Sequence, residues 1–173
     1  LYIVQDRIIN TQRFNFNTVL NTQLSDFIDF TAGLSHQVQR NHYYLRVDDL
    51  LGGDFYVNVN QFAERDFPAD NSSNQFDLNN PNRILKAGDK YGYDYNIYIN
   101  RAAAWAQGVF KFNKVDFFLA GTASNTSFYR KGNTQHGLFP DNSLGKGTVN
   151  TFFNYGGKGG VTYKINGRNY VYV

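Results

Sequence analysis

Thr148-Val-Asn-Thr-Phe-Phe-Asn-Tyr-Gly-Gly-Lys-Gly-Gly-Val-Thr-Tyr-Lys-Ile-Asn166-Gly167 decides the fold of this 173-residue chain. Its odd positions are Val149, Thr151, Phe153, Tyr155, Gly157, Gly159, Val161, Tyr163 and Ile165, and none is charged. Its even positions are wetter and include Asn150, Asn154, Lys158, Thr162 and Lys164. Strict period two is the signature of a strand with one apolar and one polar face. The run from Thr148 to Ile165 is 18 residues long, whereas strands of globular proteins run about 3 to 10. Asn166-Gly167 then reads as a type I′ hairpin turn, because both central residues of that turn need positive φ. Such a turn would pair Ile165 with Arg168 and Tyr163 with Tyr170, placing Tyr170 and Tyr172 on the apolar face.

The same alternation recurs upstream. From Gln12 to Leu24 the even positions are Phe14, Phe16, Thr18, Leu20, Thr22 and Leu24, against Arg13, Asn15, Asn17, Asn21 and Gln23. After Ser25, Asp26 and Phe27 it resumes as Ile28, Phe30, Ala32, Leu34, His36 and Val38. A three-residue hairpin loop pairing Leu24 with Ile28 keeps both apolar sets on one face. A third hairpin is written between Tyr93 and Arg130, turning at Asn113 and Lys114 and setting Phe112 opposite Val115 and Phe110 opposite Phe117. Its phase is uneven: Tyr93, Tyr95, Ile97 and Ile99 are odd, whereas Ala102, Ala104, Ala106, Phe110 and Phe112 are even. A β-bulge between Asn100 and Trp105 is the expectation.

The connections alternate in length: short at Ser25, long over 40–92, short at Asn113, intermediate over 131–147, short at Asn166. That alternation and the strand lengths match outer-membrane barrels, with tight turns on one side and long loops outside. The uncharged faces agree, because an Arg or Lys at the bilayer midplane costs about 2 to 4 kcal/mol. Aromatic residues gather near the turns, Phe110, Phe112 and Phe117 at one and Tyr163, Tyr170 and Tyr172 at another, as an interfacial girdle requires. The expected fold is therefore all-β, an antiparallel up-and-down transmembrane β-barrel segment of about six long strands. Residues 1–173 belong to one outer-membrane barrel domain, with 40–92 and 131–147 as its extracellular loops. Because the smallest such barrels have 8 strands, the chain reads as a segment of a larger barrel. A soluble β-sandwich, in which a second sheet covers the apolar face, is the competing architecture.

Composition sets the outer bounds. Lys and Arg number 17 against 14 Asp and Glu, a net charge of +3 without a basic block, so nucleic acid is not an expected partner. There is no Cys, which excludes a disulfide framework and a thiolate metal site. There is no Met either, and the chain starts at Leu1; the expectation is a processed product or an excised piece. The longest apolar runs, Ala102 to Ala106 and Phe117 to Ala120, fall far short of the ~18 to 20 residues of a membrane helix. A mean hydropathy of −0.49 is compatible with a barrel, whose strands are apolar at every second residue only.

Motifs for chemistry are weak. Gly156-Gly157-Lys158-Gly159-Gly160 lacks phosphate-loop spacing and lies mid-strand. His36, His42 and His136 have no metal-ligand spacing. Asp48-Asp49 with Gly52-Gly53-Asp54 lacks the EF-hand pattern. Asn71-Ser72-Ser73 and Asn125-Thr126-Ser127 match the glycosylation pattern, which has no meaning in a bacterial source. No nucleophile has an evident base, so neither an enzyme nor a cofactor is expected. The 40–92 segment far exceeds ordinary connections, and its Tyr43, Tyr44, Phe55, Tyr56, Phe62, Phe67 and Phe76 argue against plain disorder. Asp54 to Asn60 alternates as a short strand would. Aromatics amid Asn and Asp suit capture of a sugar, peptide or chelate, and equally suit loop packing.

Four stretches carry a family resemblance. They are Asp49-Leu-Leu-Gly-Gly-Asp-Phe-Tyr-Val-Asn-Val-Asn-Gln-Phe-Ala-Glu-Arg-Asp-Phe67, Asp77-Leu-Asn-Asn-Pro-Asn-Arg83, Ala104-Trp-Ala-Gln-Gly-Val-Phe-Lys-Phe-Asn113, and the segment from Phe152 through Tyr170. Together they resemble the barrel of TonB-dependent receptors of the Bacteroidetes type, over most of the chain from about Thr11 onward. The resemblance implies an active transporter in the cell outer membrane, in which a barrel of about 22 strands encloses a plug and TonB pulls on a short box before it. It implies uptake of a glycan, peptide or metal chelate. The implied partners are outer-membrane lipid, the rest of the barrel and its plug, the TonB complex, and a lipoprotein lid. Plug and box are expected elsewhere in the parent protein, so this segment supplies wall and a large loop able to close over ligand. By analogy, Tyr43, Tyr44, Asp48, Asp49, Phe55 and Tyr56 are the candidate ligand contacts. A passive porin or adhesin barrel, sharing the strands without plug and box, and a soluble β-sandwich binding module remain the alternatives.

Overall fold

The computed structural model describes residues 2–173. In chain order the elements are β1 (Val4–Ser25), β2 (Ile28–Asp49), β3 (Tyr56–Val57), α1 (Gln61–Asp66), β4 (Ile84–Leu85), β5 (Lys90–Lys111), β6 (Val115–Gly132), β7 (Gly145–Lys146), β8 (Asn150–Asn166) and β9 (Asn169–Tyr172). The chain is all-β, and its strands run antiparallel and up-and-down in one sheet of order β1-β2-β5-β6-β8-β9. β7 adds to β6, and β3 pairs with β4 in a separate two-stranded sheet. Tight turns join β1 to β2, β5 to β6 and β8 to β9; long connections join β2 to β5 and β6 to β8. Among the described residues no helix is long and apolar enough to cross a membrane.

Most strands outrun their expected limits, while β8 begins at Asn150, two residues after the expected Thr148. β1 begins at Val4, and β2 continues to Asp49 instead of giving way at Arg40. With β5 starting at Lys90, the first long connection is 50–89, not 40–92. Gly132 still belongs to β6, and β8 starts at Asn150; the second connection is 133–149, not 131–147. The missed stretches are mixed in polarity on both faces, so alternation could not announce them.

The strands pass through two compact units. The second unit holds Phe14–Val38, Asn100–Ser127 and Thr151–Val173. Here Thr31 Oγ1 donates to Asn21 Oδ1 at 2.9 Å; three further steps along each strand place Leu24 opposite Ile28. Phe112 N–H donates to the Val115 carbonyl at 3.0 Å, and Phe110 stacks on Phe117 with centroids 4.5 Å apart. The polar face of this unit carries the ion pairs Lys111–Asp29 and Lys164–Asp116 at 2.5 and 2.7 Å.

The last hairpin departs from expectation by one residue. Lys164 faces Tyr170, Tyr163 faces Val171 and Asn166 faces Asn169, with a bulge between Lys164 and Asn166. Its turn residues are Gly167 and Arg168, and neither Asn166 nor Gly167 has positive φ. Asn166 Oδ1 accepts from the N–H groups of Arg168 and Asn169, at 2.9 Å each. This side-chain capture of the turn replaces the type I′ geometry. In consequence Val171, not Tyr170 or Tyr172, joins Tyr163 on the apolar face. The glycine run of β8 answers a close approach: a Cβ on Gly160 would lie 2.6 Å from Phe118 Cε1, and one on Gly159 3.0 Å from Leu119 Cδ2.

The first unit holds the chain through Arg13, Gln39–Ile99 and Phe128–Asn150. Its buried apolar residues are Leu45, Val47, Ala63 and Leu85; its buried polar residues are Gln39, Asn41, Asn58, Ser73, Gln75, Asn96 and Ser143. The interior is thus mainly amide and hydroxyl, held by hydrogen bonds as buried polar groups must be. α1 is capped by Asn60, whose Oδ1 accepts from Phe62 and Ala63 N–H, an arrangement that satisfies two orphan donors of the first turn.

The bulge expected between Asn100 and Trp105 leaves no net change of phase. In the first unit even meets even where His42 bonds Asp94. In the second it does so again where His36 bonds Asn100, and odd meets odd where Lys111 bonds Asp29. What changes is the chemistry of the even positions of β5, from Asp94 and Asn96 to Ala102, Ala104, Ala106, Phe110 and Phe112.

Candidate functional site

The first unit gathers aromatic rings from both long connections onto β5. Tyr91, Tyr93 and Tyr95 occupy every second position of that strand and therefore one face of it. Tyr43 of β2 stacks on Tyr95 with centroids 5.1 Å apart, Tyr93 lies 5.5 Å from Tyr95, and the Arg130 guanidinium sits 4.7 Å above the Tyr95 ring. Tyr56 of β3 and Phe76 of the first connection meet Tyr91 edge-on at 6.0 and 6.2 Å. Phe76 also meets His136 of the second connection at 5.4 Å. Residues 2 apart in β2 extend this face with polar groups. Gln39 Oε1 accepts from Arg13 Nε at 2.8 Å, and Asn41 Oδ1 accepts from Thr11 Oγ1 at 3.0 Å and Gln39 Nε2 at 2.8 Å.

Stacked rings beside fixed amide and guanidinium donors can hold a polar ligand that has one flat face. Rings supply area at small entropic cost, and amides supply orientation.

The opposite face of β2 and β5 is an ionic cluster. Asp94 accepts from His42 Nε2 at 2.7 Å, Lys90 Nζ at 3.0 Å and Asn133 Nδ2 at 2.5 Å. Its own carbonyl accepts from Asn133 N–H at 2.9 Å. One carboxylate thus ties β2, β5 and the start of the second connection.

The six residues expected from sequence do not form one site. Tyr43 and Tyr56 join the aromatic face through Tyr95 and Tyr91. Tyr44 lies with the ionic cluster, 4.7 Å from the His42 ring and beneath Lys90 Nζ at 4.5 Å. Asp49 closes a turn by accepting from Leu51 N–H at 2.8 Å. Asp48 and Phe55 are exposed. The residues missed are Tyr91, Tyr95, Arg130 and His136. The signal for two of them was present in Tyr91-Gly-Tyr-Asp-Tyr95, where three tyrosines at period two mark a single face.

Burial raises the Tyr56 hydroxyl above its ordinary range and lowers the His136 imidazole. His136 Nδ1 accepts from Leu138 N–H at 3.1 Å, which fixes the ring proton on Nε2. Hydrogen bonds from the Ser72 hydroxyl and backbone hold the Asp70 carboxyl below the usual range. Among the described residues no three His, Asp or Glu side chains are grouped to hold a metal. Neither a protein-family model, nor a curated protein, nor a solved structure matches the chain.

Proposed function

We propose that this chain forms part of the wall and two outer loops of an energy-coupled, TonB-dependent outer-membrane transporter that imports a nutrient ligand. One observation carries the reading. Across five consecutive long strands of the second unit, the face with exposed Phe14, Phe16, Leu20, Leu34, Leu119, Phe153 and Tyr155 has no charged residue between Phe14 and Leu24, Ile28 and Val38, Asn100 and Phe112, Val115 and Ser127, or Thr151 and Ile165. Each of these spans holds 11 to 15 residues, enough for a tilted crossing of about 9 to 11. The opposite face carries Asp29, Lys111, Asp116, Lys158 and Lys164, as a water-filled lumen allows. A β-sandwich needs a second sheet over the apolar face, and the only other sheet among the described residues is the two-residue pair β3–β4. That favours lipid as the covering phase, and with it the outer membrane as the location.

The aromatic face of the first unit is the ligand-contacting surface in this reading, with Tyr43, Tyr56, Tyr95 and Arg130 as contacts. The protein performs no covalent chemistry on its cargo. Coupling is tested by deleting the TonB-interacting box from the full-length protein in a host that depends on it for growth on its nutrient. Growth and uptake are expected to be lost while the barrel still assembles. Undiminished uptake would make the protein a passive porin, and recovery of the full-length protein from the aqueous fraction would restore the sandwich.

A further inference from the structure

The two long connections are bonded to each other through their backbones. Leu78 N–H donates to the Gln135 carbonyl at 2.7 Å, and Gly137 N–H donates to the Gln75 carbonyl at 2.8 Å. Side chains follow: Asp77 Oδ1 accepts from Gln135 N–H, and Asn79 Nδ2 donates to Gln135 Oε1, both at 3.3 Å. Gln75 is only 5% exposed and pins the first connection from within. Its Nε2 donates to the side-chain oxygens of Asn74 and Asn82 at 2.7 and 3.0 Å, and its Oε1 accepts from Asn82 N–H at 2.8 Å. An isolated bridge ties it to Val59.

The approach at this seam leaves no slack. A Cβ on Gly137 would stand 1.9 Å from the Ser72 carbonyl oxygen and 3.1 Å from that of Gln75. Both obstacles are backbone, so neither can swing aside as a side-chain tip could. Freeing either connection alone would strand donors and acceptors of the other, and an unmade hydrogen bond in a buried place is costly.

We propose that residues 56–85 and 134–144, the part of the second connection between Asn133, held by Asp94, and β7, paired with β6, form one joint lid that opens and closes as a single body, with the Gln75–Gly137 seam as the joint. Separate loops at a sheet end would open independently, each with its own equilibrium. Here the bonds that close one connection are made by the other, so opening is shared. This holds whatever substance passes the wall, and it concerns motion instead of transport.

Hydrogen exchange on the full-length protein in detergent micelles tests it. Protected amides of 56–85 and 134–144 are expected to share one opening equilibrium in the unsubstituted protein. Gly137→Ala should speed exchange in both segments together, by about tenfold or more. Asp77→Ala removes, without a clash, the acceptor of two long hydrogen bonds, from Gln135 N–H across the seam and from Asn79 N–H within the first connection, and should speed both segments by a smaller shared factor of about three to ten. Gly121→Ala, whose Cβ would meet nothing within 4 Å, should leave both unchanged. If Gly137→Ala speeds only 134–144 while 56–85 keeps its protection, the connections are independent and the proposal fails. Should Gly137→Ala block barrel assembly, Asp77→Ala decides alone: a shared rise supports the joint lid, and a rise in one segment or in neither overturns it.

Discussion

The even positions of β5 carry two chemistries. In the first unit they are Lys90, Gly92, Asp94, Asn96 and Tyr98, with Asp94 and Asn96 bonded to His42, Lys90, Arg40 and Asn133. In the second they are Asn100, Ala102, Ala104, Ala106, Gly108 and Phe110, followed just past the strand by Phe112, still 46% exposed. The strand does not change phase between them, so the difference lies in the residue types along one face; in the proposed reading the first stretch meets water and the second meets lipid. Alternation tells which residues share a face; only the residue types along that face tell whether it meets water or hydrocarbon.

The sharpest way to break this contrast is to move a charge across it. Leu119→Arg places a guanidinium on the uncharged face, and should cost about 2 to 4 kcal/mol if that face meets lipid. Tyr98→Arg in the first unit should cost well under half as much. Reversible urea unfolding of the full-length protein in vesicles measures both, and equal costs would dissolve the distinction between the units.

A smaller effect is expected from packing. A Cβ on Gly33 would sit 2.4 Å from Trp105 Nε1, so Gly33→Ala should destabilise by about 1 to 3 kcal/mol, the usual penalty for overfilling. Gly121→Ala on the open face should be neutral in the same unfolding experiment. Identical midpoints for the two would mean that the Trp105 ring is not held where it is seen.

Protonation sharpens the contrast from the other side. His136 is held neutral by burial, its folded pKa below the ordinary 6.5. A group of this kind stabilises above its unfolded pKa, and the contribution fades as pH falls through that value toward the folded one. Once the intrinsic pH dependence of exchange is divided out, protection of 134–144, and with it of 56–85, should therefore fall between about pH 7 and 5, whereas protection of strand amides in the second unit should not change. His136→Phe should remove the pH response, and a response that persists in that variant would assign it elsewhere. The smallest effect is expected at Arg46–Asp6, an exposed pair at 2.7 Å: Arg46→Gln should leave the unfolding midpoint unchanged, as surface pairs usually do.

Much of the fold was legible because period two survives wherever one face meets a single medium. The Asn113 turn and the pairing of Leu24 with Ile28 follow from it directly. The last hairpin was misjudged by one residue because Asn166 captures the turn with its own side chain, a local bond that the Asn-Gly pair does not reveal. The candidate site was less legible. Tyr43 and Tyr44 are neighbours in sequence and therefore lie on opposite faces of β2, while Tyr91 fell inside the expected 40–92 loop and Tyr95 was read only as a strand residue. The partners that gather them, Phe76 and His136, come from separate connections, and no spacing within the chain records that meeting.

The unequal connections also set an order of assembly. β1 with β2, β5 with β6, and β8 with β9 are joined by turns so short that each hairpin can register itself locally. β2 and β5 must instead find each other across residues 50–89, and loop-closure entropy opposes them. At the stem of that connection, Val47 N–H donates to the Asp89 carbonyl and Gly88 N–H to the Val47 carbonyl, at 2.9 and 2.7 Å. These bonds act as a clasp that holds the near ends of the two strands together in the folded chain. Residues added at the exposed Gly52 would therefore cost little, because closure entropy grows only logarithmically with loop length, whereas loss of the clasp would leave the near ends of β2 and β5 free to separate.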